Sequence, residues 1–186
     1  IGVKDSKKLS TKRRSELATI IKENCESYKA IIVDSQEIDA REEKRITLNR
    51  LEEIKMADII NELQPDVVYI DAADVNEERF KKSIAKQLSY LPKKIVSKHK
   101  ADDLFPIVSA SSIIAKDLRD NIIEDLKKKY GDFGSGYPSD TRSIDFLREW
   151  IKEKKKAPLF ARKTWATTKK IINEELFNTK ITDFIK

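Results

Sequence analysis

The chain has 186 residues, 39% of them hydrophobic and 38% charged, proportions that suit one soluble globular domain with at most a small appendage and exclude two large independent ones. Lys and Arg number 38 against 32 Asp and Glu, a formal net charge of +6 with the signs interleaved, which favours a polyanionic partner without making a basic tail. A single cysteine, Cys25, and a single histidine, His99, exclude a disulfide framework and a Cys/His zinc site, point to a reducing, cytoplasmic setting, and leave oxygen as the main donor to any metal.

In chain order, Ser10 or Thr11 can cap a first helix, whose apolar Leu17, Ile20 and Ile21 follow helical spacing. Tyr28–Val33 is rich in β-branched residues and reads as a strand. A helix over Ile46–Leu63 carries apolar residues around most of its circumference, as a central helix with several neighbours would. Gln64-Pro65-Asp66 breaks it, and Val67–Ile70 reads as a short strand buried on both faces. Asn76 can cap a helix bearing Phe80, Ile84 and Leu88, after which Lys94–Ser97 reads as a third strand, giving β-α-β twice over. Leu104–Ala115 is 12 residues long and contains Pro106, far short of the roughly 20 apolar residues of a membrane span.

Pro106 suits the first turn of a long helix, where the N–H groups have no intrahelical partner. Ala110, Ile114, Leu118, Ile122 and Leu126 recur every fourth residue on one face of it, and Ser109, Ser112, Lys116 and Arg119 lie opposite. The loop Gly134–Ser139 follows, then helix with Ile144, Leu147 and Ile151 on one stripe. The fold class is α/β at the front and all-α at the back.

Open α/β sheets bind ligands beyond the carboxyl ends of their strands, where Val67–Ile70 delivers Asp71 and Lys94–Ser97 leads to Asp102. Two strand-end carboxylates suit Mg²⁺ or Mn²⁺, although short Asp-rich turns are also common chain reversals. His99, between Lys98 and Lys100, reads as a solvated strand-end residue ahead of a proton shuttle. Tyr137 on its constrained loop can stack on a sugar or base, or simply pack a turn, and Trp165 shares that ambiguity. The lysines of Lys152–Lys156 suit a helix C-terminus.

Taken together, Gly2–Leu9 (GVKDSKKL), Tyr69–Ala72, His99–Asp102, Pro106–Lys116 with Arg119-Asp120, and Gly134–Asp140 (GSGYPSD) resemble, in order and over nearly the whole chain, ribonuclease HII of the archaeal type. The resemblance implies a ribonuclease H-like mixed sheet flanked by helices over residues 1–130, and a helical C-terminal region over 131–186. It implies an endonuclease that cleaves the RNA strand of RNA–DNA hybrids, and DNA 5′ to embedded ribonucleotides, by a two-metal-ion mechanism with Mg²⁺ or Mn²⁺. Ribonucleotide excision and DNA replication are the processes such an enzyme serves. Asp71 and Asp102 match two of the family's four metal-binding catalytic acids. Tyr137 matches its junction-sensing tyrosine, and Lys7, Lys116 and Arg119 fall in motifs that contact substrate. A sliding clamp enters as a candidate partner, and the chain is expected to act as a monomer. The family's other two acids belong to an Asp-Glu-Ala-Gly-Arg-Gly segment that does not occur in the 186 residues. That segment is expected ahead of Ile1, and the 186 residues by themselves are expected to be inactive. A non-catalytic hybrid-binding module is the alternative.

Overall fold

The computed structural model describes residues 9–177. In chain order the elements are α1 (Thr11–Asn24), α2 (Ser35–Ala40), α3 (Leu48–Leu63), β1 (Val67–Asp71), α4 (Glu77–Ala85), β2 (Lys94–Lys98), α5 (Ala101–Leu104), α6 (Pro106–Tyr130), α7 (Thr141–Lys154) and α8 (Ala166–Ile172), followed by a π-helical stretch, Asn173–Phe177. They form two compact units that interleave in sequence: residues 9–32 with 47–122, and residues 33–46 with 123–177.

In the first unit, side-chain caps set the helix starts, at Ser10 and Asn76 as the sequence predicts and at Thr47 where the helix is expected to begin at Ile46. The side chains of Ser10, Thr47 and Asn76 accept the N–H groups of Arg13, Arg50 and Arg79, supplying acceptors that the first helical turn lacks. Gln64 ends α3 in the left-handed region at φ 47°. Strands β1 and β2 pair in parallel from Val67 opposite Lys94 to Asp71 opposite Lys98, with α4 as the crossover between them. The core of this β-α-β unit joins Ala57 and Ile60 of α3, Val68 and Ile70 of β1, and Phe80 and Ile84 of α4.

Two expectations for strands are corrected. Among the described residues no strand forms over Tyr28–Val33, so the β-α-β arrangement occurs once. A strand needs a neighbour for its N–H and C=O groups, and among the described residues none pairs with this run; Tyr28 is 50% and Ile32 58% exposed. β1 buries one face fully and the other only in part, because Val68 and Ile70 enter the core while Tyr69, half-buried on the other face, packs tilted against Phe105 with 4.6 Å between ring centres.

α6 starts at Pro106, as its sequence predicts. It packs on α1 through Ile113 and Ile114 against Leu17, Ala18 and Ile21. Ion pairs Arg14–Asp120 and Lys22–Asp117 flank that contact. The four-residue row contributes Ile114 to the buried set, but the most deeply buried residue, Ile113, lies beside the row. A helix turns every 3.6 residues, so a strict interval of four drifts off the buried stripe.

The second unit is helical. Phe160 gathers Tyr130, Phe133, Phe146 and Trp150 around it, with ring centres 4.8 to 6.4 Å away. Ile151, Ala157 and Ile171 make a second apolar cluster. Asp39 of α2 accepts the N–H groups of Lys163 and Thr164 and the Thr164 hydroxyl, tying segments about 125 residues apart in sequence. The Arg162 guanidinium lies 4.8 Å from the Trp165 ring centre, and Lys152 and Lys154 sit in the last turn of α7 as expected.

Candidate active site

Asp71 is the last residue of β1, exposed beyond the core residues Val68 and Ile70. The parallel pairing continues one step past it, since the Ala72 N–H donates to the Lys98 carbonyl at 2.9 Å. On the neighbouring strand the chain leaves β2 through His99 and Lys100, whose left-handed φ of 53° turns it directly into α5. Ala101, fully buried, donates its N–H to Asp71 Oδ1 at 3.0 Å. Asp102, half-buried in α5, is the next residue. One carboxylate thus holds the N–H of the residue before the other, with Asp71 at the end of β1 and Asp102 in the short helix that follows β2.

His99 is exposed; its N–H donates to Glu77 Oε1 at 2.8 Å and its Nε2 lies 3.3 Å from the Val75 carbonyl. It is occupied with the turn. Glu77 Oε2 accepts the Lys98 ammonium at 2.9 Å. That ammonium first, and the His99 N–H second, hold the Glu77 carboxyl below its ordinary pKa, while the same contact raises Lys98. Asp74, 7% exposed, accepts the Asn76 N–H and the Arg79 guanidinium, which lower its pKa in that order and fix the loop between β1 and α4. Sequence reasoning named neither Glu77 nor Asp74; their place beside the Asn76 cap was the available signal.

Lys116 and Arg119 lie half-buried one turn apart on α6, with Arg119 Nη1 at 3.5 Å from Asp120. Lys7 lies outside the described residues. Leu9, near the start of the described chain, gives its carbonyl to Arg14 Nη2 at 3.1 Å.

In the second unit Tyr137 is 49% exposed on a loop built by its own hydrogen bonds. Asp132 accepts the Gly134 N–H, Asp140 the Ser135 N–H, and the Ser143 hydroxyl the Gly136 N–H. Ser135's N–H leads the contacts that lower the Asp140 pKa. Gly134 adopts φ +72°, and a Cβ there would meet Asp140 Oδ2 at 2.5 Å. Gly134→Ala is therefore expected to destabilise this loop by about 1–3 kcal/mol. Thermal unfolding checks it against Gly131→Ala, which shares the backbone strain at φ +94° but whose Cβ meets nothing within 4 Å, so that the difference isolates the clash.

Among the described residues no three His, Cys, Asp or Glu side chains gather into a metal-holding group. Asp71 and Asp102 fit a hard divalent ion in donor chemistry, as two carboxylates toward a larger oxygen set. Among the described residues no helix is long and apolar enough to cross a membrane.

The family model described as Ribonuclease HII matches residues 1–168. The ribonuclease HII of Pyrococcus furiosus is 47% identical over 173 residues, spanning 92% of this chain and 75% of that protein. The crystal structure of ribonuclease H2 from Pyrococcus horikoshii superposes with a TM-score of 0.88 at 41% identity, covering 95% of this chain and 83% of that one. The Archaeoglobus fulgidus RNase HII, solved in complex with PCNA, gives 0.82 at 38% identity, covering 98% and 84%. The fold of this chain is the α/β fold of those ribonucleases.

Proposed function

The chain belongs to the ribonuclease HII family, a family of ribonuclease H enzymes, and from that premise we propose that it hydrolyses the RNA strand of RNA–DNA hybrids, and DNA 5′ to embedded ribonucleotides, as an endonuclease. The observation that carries this reading is Asp71 at the end of β1 accepting the N–H of Ala101, the residue before Asp102 in the helix that follows β2. Asp71 and Asp102 are the residues that would hold Mg²⁺ or Mn²⁺. Such ions, once bound, supply activation of a water and charge stabilisation of the leaving 3′ oxygen in a two-metal displacement.

The remaining work falls to the protein's own groups. Lys116 and Arg119 offer cations to the phosphates, which position a duplex but carry no information about sugar type. Telling ribose from deoxyribose requires a contact at the 2′ position, and Tyr137 on its ordered loop is the side chain proposed to sense the step between them. The Archaeoglobus fulgidus relative was solved with PCNA, and a sliding clamp is accordingly proposed as a partner of this chain, which we take to act as a monomer.

The test is incubation of the protein, expressed from its complete reading frame, with an RNA–DNA hybrid and an all-DNA duplex at matched salt in Mg²⁺ or Mn²⁺. Cleavage of the RNA strand alone, leaving 5′-phosphates, is expected. Tight hybrid binding without cleavage returns the non-catalytic binding module. Lys116→Ala is expected to weaken binding evenly across sequences and to reduce the slope of log affinity against log salt by about 1. A salt titration by fluorescence anisotropy measures that slope.

A further inference from the structure

We propose that Glu77 is the positioning residue that fixes Asp102 beside Asp71; the inference rests on the reading of those two carboxylates given above. Glu77 lies in the first turn of α4, an element whose task in the fold is to carry the chain from β1 to β2. Both of its carboxylate oxygens reach the end of β2. Oε1 accepts the His99 N–H at 2.8 Å and Oε2 the Lys98 ammonium at 2.9 Å, with the Glu77 side chain 25% exposed.

The turn held in this way is short and unusual. Between the end of β2 at Lys98 and Asp102 lie His99, Lys100 and Ala101, and Lys100 has a left-handed backbone that a non-glycine residue adopts at a cost. Such a conformation persists where surrounding contacts over-determine it. Three anchors do so: the Ala72 N–H on the Lys98 carbonyl, Asp71 Oδ1 on the Ala101 N–H, and Glu77 on His99 and Lys98. The Asp71 anchor comes from a residue proposed to hold a cation as well. Glu77 supplies a second carboxylate to the turn, so the position of Asp102 does not depend on Asp71 alone. With each oxygen already accepting a hydrogen bond, Glu77 is placed to orient the pair rather than to join it as a third ligand. Outer partners of metal-binding carboxylates act in this way generally, and their loss costs about 10–100-fold in affinity or activity.

The experiment uses Glu77→Ala and Glu77→Gln in the protein expressed from its complete reading frame. Amide hydrogen exchange at His99 and Ala101 is followed by NMR without metal, and hybrid cleavage is followed in Mn²⁺. In the alanine variant exchange at both amides is expected to accelerate about tenfold, and kcat to fall about 10–100-fold with KM for the hybrid near the parent value. In the glutamine variant the amide oxygen still accepts the His99 N–H, so Ala101 protection and most of kcat are expected to return. Unchanged exchange at Ala101 in the alanine variant overturns the proposal, as does a glutamine variant impaired as badly as alanine, or a loss confined to KM. Intact cleavage by Asp71→Asn and Asp102→Asn would instead sink the reading of the carboxylate pair, and the metal-free exchange data would still decide whether Glu77 orders the turn.

Discussion

Asp71→Asn is expected to lower the rate of hybrid cleavage by about 10³-fold, equivalent to roughly 4 kcal/mol of transition-state stabilisation. The substitution isolates charge from structure. An asparagine Oδ1 still accepts the Ala101 N–H that the aspartate accepts at 3.0 Å, so the turn into α5 and the protein's melting temperature should be nearly unchanged. What disappears is the charge of one of the two carboxylates proposed to hold the ion, and a hard divalent ion depends on anionic oxygen ligands for both affinity and placement. Asp102→Asn should behave alike. Single-turnover cleavage across a Mn²⁺ titration checks both variants. Rates within about tenfold of the parent at saturating metal would mean that Asp71 only turns the chain.

The largest stability effect is expected from Phe80→Ala. Phe80 is 0% exposed and shares the first unit's core with Ile84, Ala57, Ile60, Val68 and Ile70. Its side chain is what α4 presses against β1, the strand that carries Asp71. Truncation should cost about 3–5 kcal/mol, through lost burial and the cavity left behind. Against a typical domain stability of about 5–15 kcal/mol this removes a large share of the total. Urea unfolding of parent and variant measures it. Val75→Ala, at a residue 91% exposed, serves as control and should stay within about 0.5 kcal/mol of the parent.

The parts legible in the sequence were those determined within a few residues. Ser10 and Asn76 cap the helices that follow them, Pro106 opens α6, and Val67–Ile70 and Lys94–Ser97 become the paired strands, whereas the helix expected from Ile46 begins at Leu48 behind a Thr47 cap. Asp71 and Asp102 stand out as candidates because the segments just past strand ends are where such sheets place chemistry, and because their motifs carry a family resemblance. The misread segment, Tyr28–Val33, has strand composition, but pairing depends on a neighbour that composition does not specify. The helices α2 and α5, of 6 and 4 residues, are too short for periodicity to show. What positions them is non-local. Asp39 meets Thr164 from 125 residues away, and Ala101 meets Asp71 from 30 away. Glu77 escaped notice for the same reason, since only the meeting of α4 with the end of β2 distinguishes it from any acid in a first helical turn.

Asp71 and Asp102 are proposed to serve a nuclease that recognises ribose within a duplex. The most direct test is cleavage of a DNA duplex containing one ribonucleotide, by the protein expressed from its complete reading frame in Mn²⁺, with product ends mapped by sequencing gel. A single cut on the 5′ side of the ribonucleotide, leaving a 5′-phosphate and sparing the all-deoxy duplex, is the predicted result. An uncut substrate, or equal cutting of the all-deoxy duplex, would contradict it.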